Sequence, residues 1–238
     1  MKIYGLTGGI ASGKSTISQI LKTKDLPIVD ADMIARSVLA PGTKGFKQVL
    51  ATFGEAAVFD AESGTIDRKK LGRLVFNDRA QRKKLEKITH PKIAFQMIKA
   101  IVVAFFQAKP VLILDVPLLY ESKFWAYFCT KVMVVHCEES TQMKRLLNRE
   151  EGKMTEDTAR KIVEAQMPLD KKVALADIVI DNNGPKRALE EHVEKVYKDY
   201  LSPTLSRRVQ ALAWLTGLIL VICWLFFQVV GVISYVVG

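Results

Sequence analysis

Gly8-Gly9-Ile10-Ala11-Ser12-Gly13-Lys14-Ser15 follows directly on the apolar run Ile3-Tyr4-Gly5-Leu6-Thr7. The spacing G-x-x-x-x-G-K-[ST] is that of a Walker A phosphate loop. Glycine permits the tight turns in which successive backbone N–H groups point inward at anionic oxygens. Lys14 then supplies a point charge to the β and γ phosphates, Ser15 a hydroxyl ligand for Mg²⁺, and Thr16 continues the phosphate-facing segment. Ile17, Ile20 and Leu21 recur at helical spacing over Lys14–Lys24, which predicts a helix whose N-terminus also meets the phosphates. At average residue frequencies the four fixed positions arise somewhere in a chain of this size with roughly 1% probability, so an incidental Gly-rich turn is a poor explanation.

Carboxylates at predicted strand ends are the second feature able to do chemistry. Leu26-Pro27-Ile28-Val29-Asp30-Ala31-Asp32 is a short β-type run closing on two acids, and period-two spacing puts Asp30 and Asp32 on one side if the strand reaches that far. Ligands of parallel α/β sheets gather at the carboxyl ends of strands, so these acids are expected to face the phosphate loop. Asp32 is the expected catalytic acid and Asp30 its support, the alternative being that one of them caps the helix at Met33–Arg36. Val111-Leu112-Ile113-Leu114-Asp115 is continuously apolar, as a strand buried on both faces must be, and it ends in an acid that would organise Mg²⁺ in the manner of a Walker B segment.

Positioning these groups requires strands alternating with helices. Further β-type runs are Lys131–His136 and Ile178–Ile180, followed by helical patterns over Ser140–Arg149 and Pro185–Tyr200. The region 45–107 is predicted to be mostly helical, with helices over Lys47–Phe53, Asp67–Phe76, Arg79–Ile88 and Pro91–Gln107 separated by Gly, Asn or Pro. Arg82-Lys83-Lys84 reads as a solvated helix face. Segment 150–170 is polar and charged, interrupted by Gly152 and Pro168 around a helix at 156–166, and reads as a lid. Lids that carry arginine place charge on a transferring phosphoryl group and exclude water. Arg149 is the first candidate and Arg145 the second, a surface salt bridge being the more ordinary use of Arg145.

The 238 residues, 49% hydrophobic and 25% charged, suit one main domain over residues 1–201 with a real core. The net charge of +10 is spread over several helices without a nucleic-acid motif, so phosphate-bearing small molecules account for its sign and no nucleic-acid partner is expected. Three cysteines (Cys129, Cys137, Cys223) lack metal-ligand spacing, which suggests packing roles in a reducing compartment. Met1-Lys2 leads straight into the first strand, with nothing resembling a signal or transit peptide. After a linker at 202–208 that ends in Arg207-Arg208, the chain carries no charge through Gly238. A helix over 209–230, with apolar character continuing to 237, would be about 33 Å long against a hydrocarbon core of roughly 30 Å. Trp214 and Tyr235 fit interfacial belts and the arginine pair a cytosolic flank, so a single-pass tail anchor with the catalytic part in the cytosol is expected.

Several of these segments together carry a family resemblance. Gly5–Ser15 and Val29-Asp30-Ala31-Asp32-Met33-Ile34-Ala35-Arg36 resemble the dephospho-CoA kinase family, as do Thr89-His90-Pro91, Asp115-Val116-Pro117-Leu118-Leu119-Tyr120-Glu121, Lys144–Arg149, Ala165-Gln166-Met167-Pro168-Leu169 and Ala176–Gly184. The similarity runs from Met1 to about Tyr200. It implies an α/β P-loop kinase fold: a parallel five-stranded sheet, a helical substrate subdomain over 45–107, and a lid. It further implies that ATP donates its γ-phosphate to the ribose 3′-hydroxyl of dephospho-CoA, giving CoA and ADP. By the same resemblance His90, Glu121 and Lys171 are expected at the acceptor, and Asn182 beside the nucleotide.

The residues alone leave other acceptors open, such as a nucleoside monophosphate or a shikimate-like alcohol. A guanine-reading Asn-Lys-x-Asp motif is absent from the sequence. A catalytically silent, membrane-tethered nucleotide-binding protein is the alternative from another class, and it would not need Lys14, Ser15, Asp32 and Asp115 intact.

Overall fold

The computed structural model describes residues 1–76, 78–122, 124–149, 155–202 and 216–217. Strand β1 (Lys2–Gly8) delivers the phosphate loop to helix α1 (Lys14–Lys22), and β2 (Ile28–Asp30) leads into α2 (Ala31–Val38). A helical region follows: α3 (Lys44–Phe53), α4 (Glu55–Val58), the hairpin β3 (Phe59–Asp60) and β4 (Thr65–Ile66), α5 (Arg68–Phe76) and the long α6 (Arg79–Phe106). Strand β5 (Val111–Asp115) is followed by α7 (Leu119–Ser122) and a 3-10 turn (Trp125–Phe128), and β6 (Lys131–His136) by α8 (Glu139–Arg149). Then come α9 (Glu156–Glu164), α10 (Leu169–Ala174), β7 (Ile178–Asp181), α11 (Lys186–Val196) and a closing π-helical turn at Tyr197–Leu201.

The main sheet has five parallel strands in the order β2-β5-β1-β6-β7. Its strands are apolar throughout because successive side chains enter different cores. Val111 and Ile113 pack with Tyr4, Leu6, Met133 and Val135 against Ile17 and Leu21 of α1 and Leu189 and Val193 of α11. Leu112 and Leu114 pack the other way, with Val132 and Val134, against Met97 and Ala104 of α6 and Trp125. The parallel sheet expected from the alternating pattern is therefore present, covered on both faces.

A third core, built on Val49, Val58, Ile66 and Leu71, holds the helical region together. Two expectations fail there. The breaks predicted at Ile88 and Pro91 do not occur: α6 runs uninterrupted for 28 residues with Pro91 inside. Proline removes one N–H from the ladder, the one that Lys87 O would accept, and on either side of that position side chains donate to other helix carbonyls. Thr89 Oγ1 donates to Leu85 O at 2.9 Å, and Lys92 Nζ to Ile88 O at 2.9 Å. Packing of one face on the sheet and the other end on the third core outweighs the local defect. The β3–β4 hairpin was not predicted, because two-residue strands leave no periodicity to read.

The expected tail anchor at 209–230 lies outside the described residues, apart from 216 and 217. The same holds for residues 150–154, at the start of the segment expected to form a lid, whereas the helix expected at 156–166 is present as α9.

Candidate active site

The ends of β1, β2 and β5 meet in one cleft of ≈1500 Å³. At its floor, Gly13 is the N-cap of α1 in the left-handed region, φ 96° and ψ 14°. A Cβ at Gly13 would fall 2.1 Å from Asn182 Nδ2, and one at Gly8 2.6 Å from Ser12 Oγ, so both glycines serve close approach as well as turning. Ala11 also takes a positive φ of 58°, a position most residues avoid.

The loop is held from outside by amides that the motif does not contain. Asn182 Nδ2 donates to Ser12 O at 2.7 Å. Gln142 Nε2 donates to Ile10 O at 2.6 Å, and Ile10 N donates to Gln166 Oε1 at 3.0 Å. Asn182, expected beside the nucleotide, is thus buried behind the loop and engaged in bracing it. Gln142 carried no sequence signal of its own; Gln166 fell within a recognisable segment without an assigned role.

Lys14 Nζ forms an ion pair with Asp115 at the end of β5. Asp115 is 1% exposed, and burial raises its carboxyl above the ordinary value of 3.8. The Lys14 ammonium opposes that rise, and Asp30, its register partner on β2, adds to it. The folded state therefore keeps this proton to higher pH than the unfolded chain, so Asp115 contributes a loss of stability as pH rises from about 3.8 through its folded value. Urea midpoints taken across that range should fall less steeply with rising pH in Asp115→Asn than in the parent.

Strand β2 stops at Asp30, so the period-two argument does not reach Asp32. Asp30 is the N-cap of α2, accepting from Met33 N at 3.0 Å. Asp32 stands in the first turn of that helix. Both line the cleft, along with Ser15, Lys22 and Arg36. His90 lines it too, from the middle of α6, one turn after Glu86 and one before Ala94. Met97, Ile93 and Ala94 give that wall an apolar strip.

Neither lysine of α10 lines the cleft. Lys171 is exposed and is not among the residues lining the cleft; Lys172 is 0% exposed and pairs with Glu121 Oε1 at 2.8 Å. The helix α10 turns Lys172 inward and Lys171 outward, a choice no local pattern declares. Glu121 also accepts from Met167 N at 3.1 Å, and Lys172 Nζ donates to Pro117 O at 3.3 Å. Glu121 lines the cleft but its carboxylate is engaged in clamping the lid base to the β5–α7 connection. Glu121→Ala would strand a fully buried ammonium. Since Glu121 itself is 24% exposed, we expect a loss of about 2–3 kcal/mol, below the 3–5 typical of fully buried pairs, read from urea unfolding.

Arg145, ranked second on sequence, lines the cleft; its Nη2 donates to Asn182 O at 3.0 Å. Arg145 Nη1 and Ser12 Oγ are buried with no hydrogen-bond partner among the described residues. Of the two, Arg145 lines the cleft, where a buried donor suits an arriving anionic ligand; Ser12 does not. Arg149 closes α8 one turn later, and its side chain lies outside the described residues. Of the described thiols neither lines the cleft: burial pushes Cys129 up to about 12 and Cys137 upward, in keeping with packing roles.

A family model described as dephospho-CoA kinase matches residues 2–187. The chain is 41% identical over 220 residues to a dephospho-CoA kinase domain-containing protein of Danio rerio, covering 92% of this chain and 94% of that one. It is 44% identical over 204 residues to a dephospho-CoA kinase of Arabidopsis thaliana, covering 85% of each. Among solved structures it is similar to the dephospho-CoA kinase of Campylobacter jejuni, with a TM-score of 0.63 at 28% identity over 84% of this chain and 97% of that one.

Proposed function

This chain belongs to the dephospho-CoA kinase family, and we propose that its cleft transfers the γ-phosphate of ATP to the ribose 3′-hydroxyl of dephospho-CoA. It is a phosphotransferase of the last step of CoA synthesis. The observation that carries the site assignment is the convergence of Lys14, Asp115 and Asp32 on one cleft whose other wall, on α6, is both polar and apolar.

In this reading the backbone of Gly8–Ser15 and the N-terminus of α1 cradle the β and γ phosphates. Lys14 leaves Asp115 for the transferring group, which offers more negative charge. Arg145 supplies its unpartnered nitrogen to the same developing charge, and Arg149 is the second arginine given that role, on its sequence position. Asp32 orients the acceptor hydroxyl and receives its proton. His90, Glu86 and the apolar strip of α6 hold the remainder of the acceptor. Little covalent chemistry is asked of the protein; positioning and electrostatics supply the rate.

The donor set fits Mg²⁺. Among the described residues no cluster of three or more His, Cys, Asp or Glu forms a cage. Mg²⁺ is ordinarily held by one or two carboxylates with water and substrate phosphates rather than by an all-protein cage. Asp115 and the Ser15 hydroxyl would hold it, and it would supply positive charge to the phosphates.

We further propose that residues 209–230 anchor the protein in a membrane as a single span, with the kinase domain on the cytosolic side. The support is the uncharged run after Arg208 and its length. The activity test is direct: the purified chain with ATP, Mg²⁺ and dephospho-CoA, CoA being followed by mass spectrometry, with adenylate and shikimate as competing acceptors. CoA formation is expected with dephospho-CoA. Phosphorylation of another acceptor in its place would overturn the assignment.

A further inference from the structure

The chain leaves its folded domain at the end of the sheet opposite the cleft. Lys2, Val111 and Lys131 begin β1, β5 and β6, and the registers Lys2↔Val111 and Tyr4↔Lys131 set them along one edge. The last turn of the domain closes there. Tyr4 Oη donates to Tyr200 O at 2.9 Å, and Leu201 is buried in the cluster that contains Tyr4 and Val111.

Two other segments bring aromatic side chains to this edge and leave them in solvent. Helix α6 runs down to it and ends at Phe106, where Pro110 O of the following turn accepts from Lys2 N at 2.9 Å. Phe105 and Phe106 are 45% and 55% exposed. The 3-10 turn ends three residues before Lys131 and is pinned through Thr130 N to Ile3 O at 2.7 Å. Its buried Trp125 anchors it to the core, while Tyr127 is 87% exposed and Phe128 42%. Lys2 opens β1 at this end of the sheet, and Lys109 follows Phe106 by three residues. Exposed aromatics on two segments that close at the same end of a sheet mark an interaction surface.

We propose that this edge is a membrane-docking face, with Phe105, Phe106, Tyr127 and Phe128 entering the headgroup–acyl boundary of an anionic bilayer and Lys2 and Lys109 meeting its phosphates. The proposal rests on the reading of 209–230 as a span. Only six residues, 203–208, separate Ser202 from that span, which at full extension is about 20 Å. The domain edge that carries Ser202 is therefore held close to the bilayer surface. Aromatic rings are the side chains suited to that depth, and a chain of net charge +10 is drawn to an anionic surface. The 3-10 turn also borders the cleft, since Phe124 and Trp125 line it and the Phe128 ring stands 5.3 Å from that of Phe124, so docking on this edge brings that side of the cleft toward the membrane while the phosphate loop stays at the far ends of the strands.

The test uses the full-length chain with Cys129, Cys137 and Cys223 replaced by alanine and an environment-sensitive fluorophore on one introduced cysteine. The sites are Phe106→Cys, Tyr127→Cys and, as the water-facing control in the β3–β4 hairpin, Glu62→Cys. Each is reconstituted into phosphatidylcholine vesicles with and without phosphatidylserine. Docking predicts a blue shift at 106 and 127, several-fold stronger quenching by brominated lipid than at 62, and an enhancement with phosphatidylserine. A protein that resists carbonate extraction while 106 and 127 stay as solvated as 62 overturns the docking face and leaves the span standing. Release by carbonate overturns the span, and the probes read on the vesicles beforehand still decide the face. A blue shift without lipid quenching means that protein covers these rings, which also overturns the proposal.

Discussion

Lys14→Ala is expected to lower turnover by about 10²–10³-fold, the usual loss when one charged donor to a transition-state oxygen is removed. The fold should survive, because α1 is held to the sheet by Ile17 and Leu21, which face away from the loop. The substitution has a second effect that the ion pair makes specific. Asp115 is buried, and the Lys14 ammonium is what counters its tendency to keep a proton. Without that cation its carboxyl rises further, and a protonated acid is a poor ligand for Mg²⁺. The variant should therefore also need more Mg²⁺, increasingly so as pH falls. Steady-state kinetics across Mg²⁺ concentration at two pH values, with circular dichroism as the check on folding, would read both effects. Retention of more than a tenth of the parent turnover would remove Lys14 from the role given to it.

Asp32→Asn should cost about 10²–10⁴ in the rate of phosphoryl transfer while leaving nucleotide binding in place, the range associated with a positioned general base. Its neighbour serves as the contrast. Asp30 is committed to Met33 N as the cap of α2, so Asp30→Ala should cost about 1 kcal/mol of stability. Single-turnover measurements beside urea unfolding separate the two residues. Rate loss confined to Asp30 variants, with Asp32→Asn near the parent, would exchange the two roles.

The exchange is a real question because the sequence left open whether both acids share a strand or one of them caps the next helix. Local propensity gave Ile28–Asp30 its extended character, but helix α2 begins at Ala31 once Asp30 caps it, and the alternation ends there. A similar competition settled Pro91. Read locally, proline after His90 starts a new helix; in the folded chain, burial of Met97 and Ala104 on the sheet and of Ile88 on the third core keeps one helix running through it. Local signals lose wherever tertiary burial is larger than the cost of one missing hydrogen bond.

The five-stranded parallel sheet and the acceptor came with the family resemblance; what the sequence determined by itself was the phosphate loop, the apolar strands and the acid that ends one of them. These are legible because each depends on residues adjacent in the chain: a Gly–Lys–Ser spacing, a run of apolar residues, an acid at a strand end. The tertiary structure alone decided what holds the loop and which lid residues face inward. Asn182 reaches Ser12 across 170 positions, Gln166 reaches Ile10 across 156, and Lys172 rather than Lys171 meets Glu121. No local pattern records such contacts, since an amide that braces a loop and an amide in an ordinary turn are the same residue until the strands are brought side by side. The physical reason is that sheet register, set by burial of both faces at once, fixes these long-range distances, and register is a property of the whole chain.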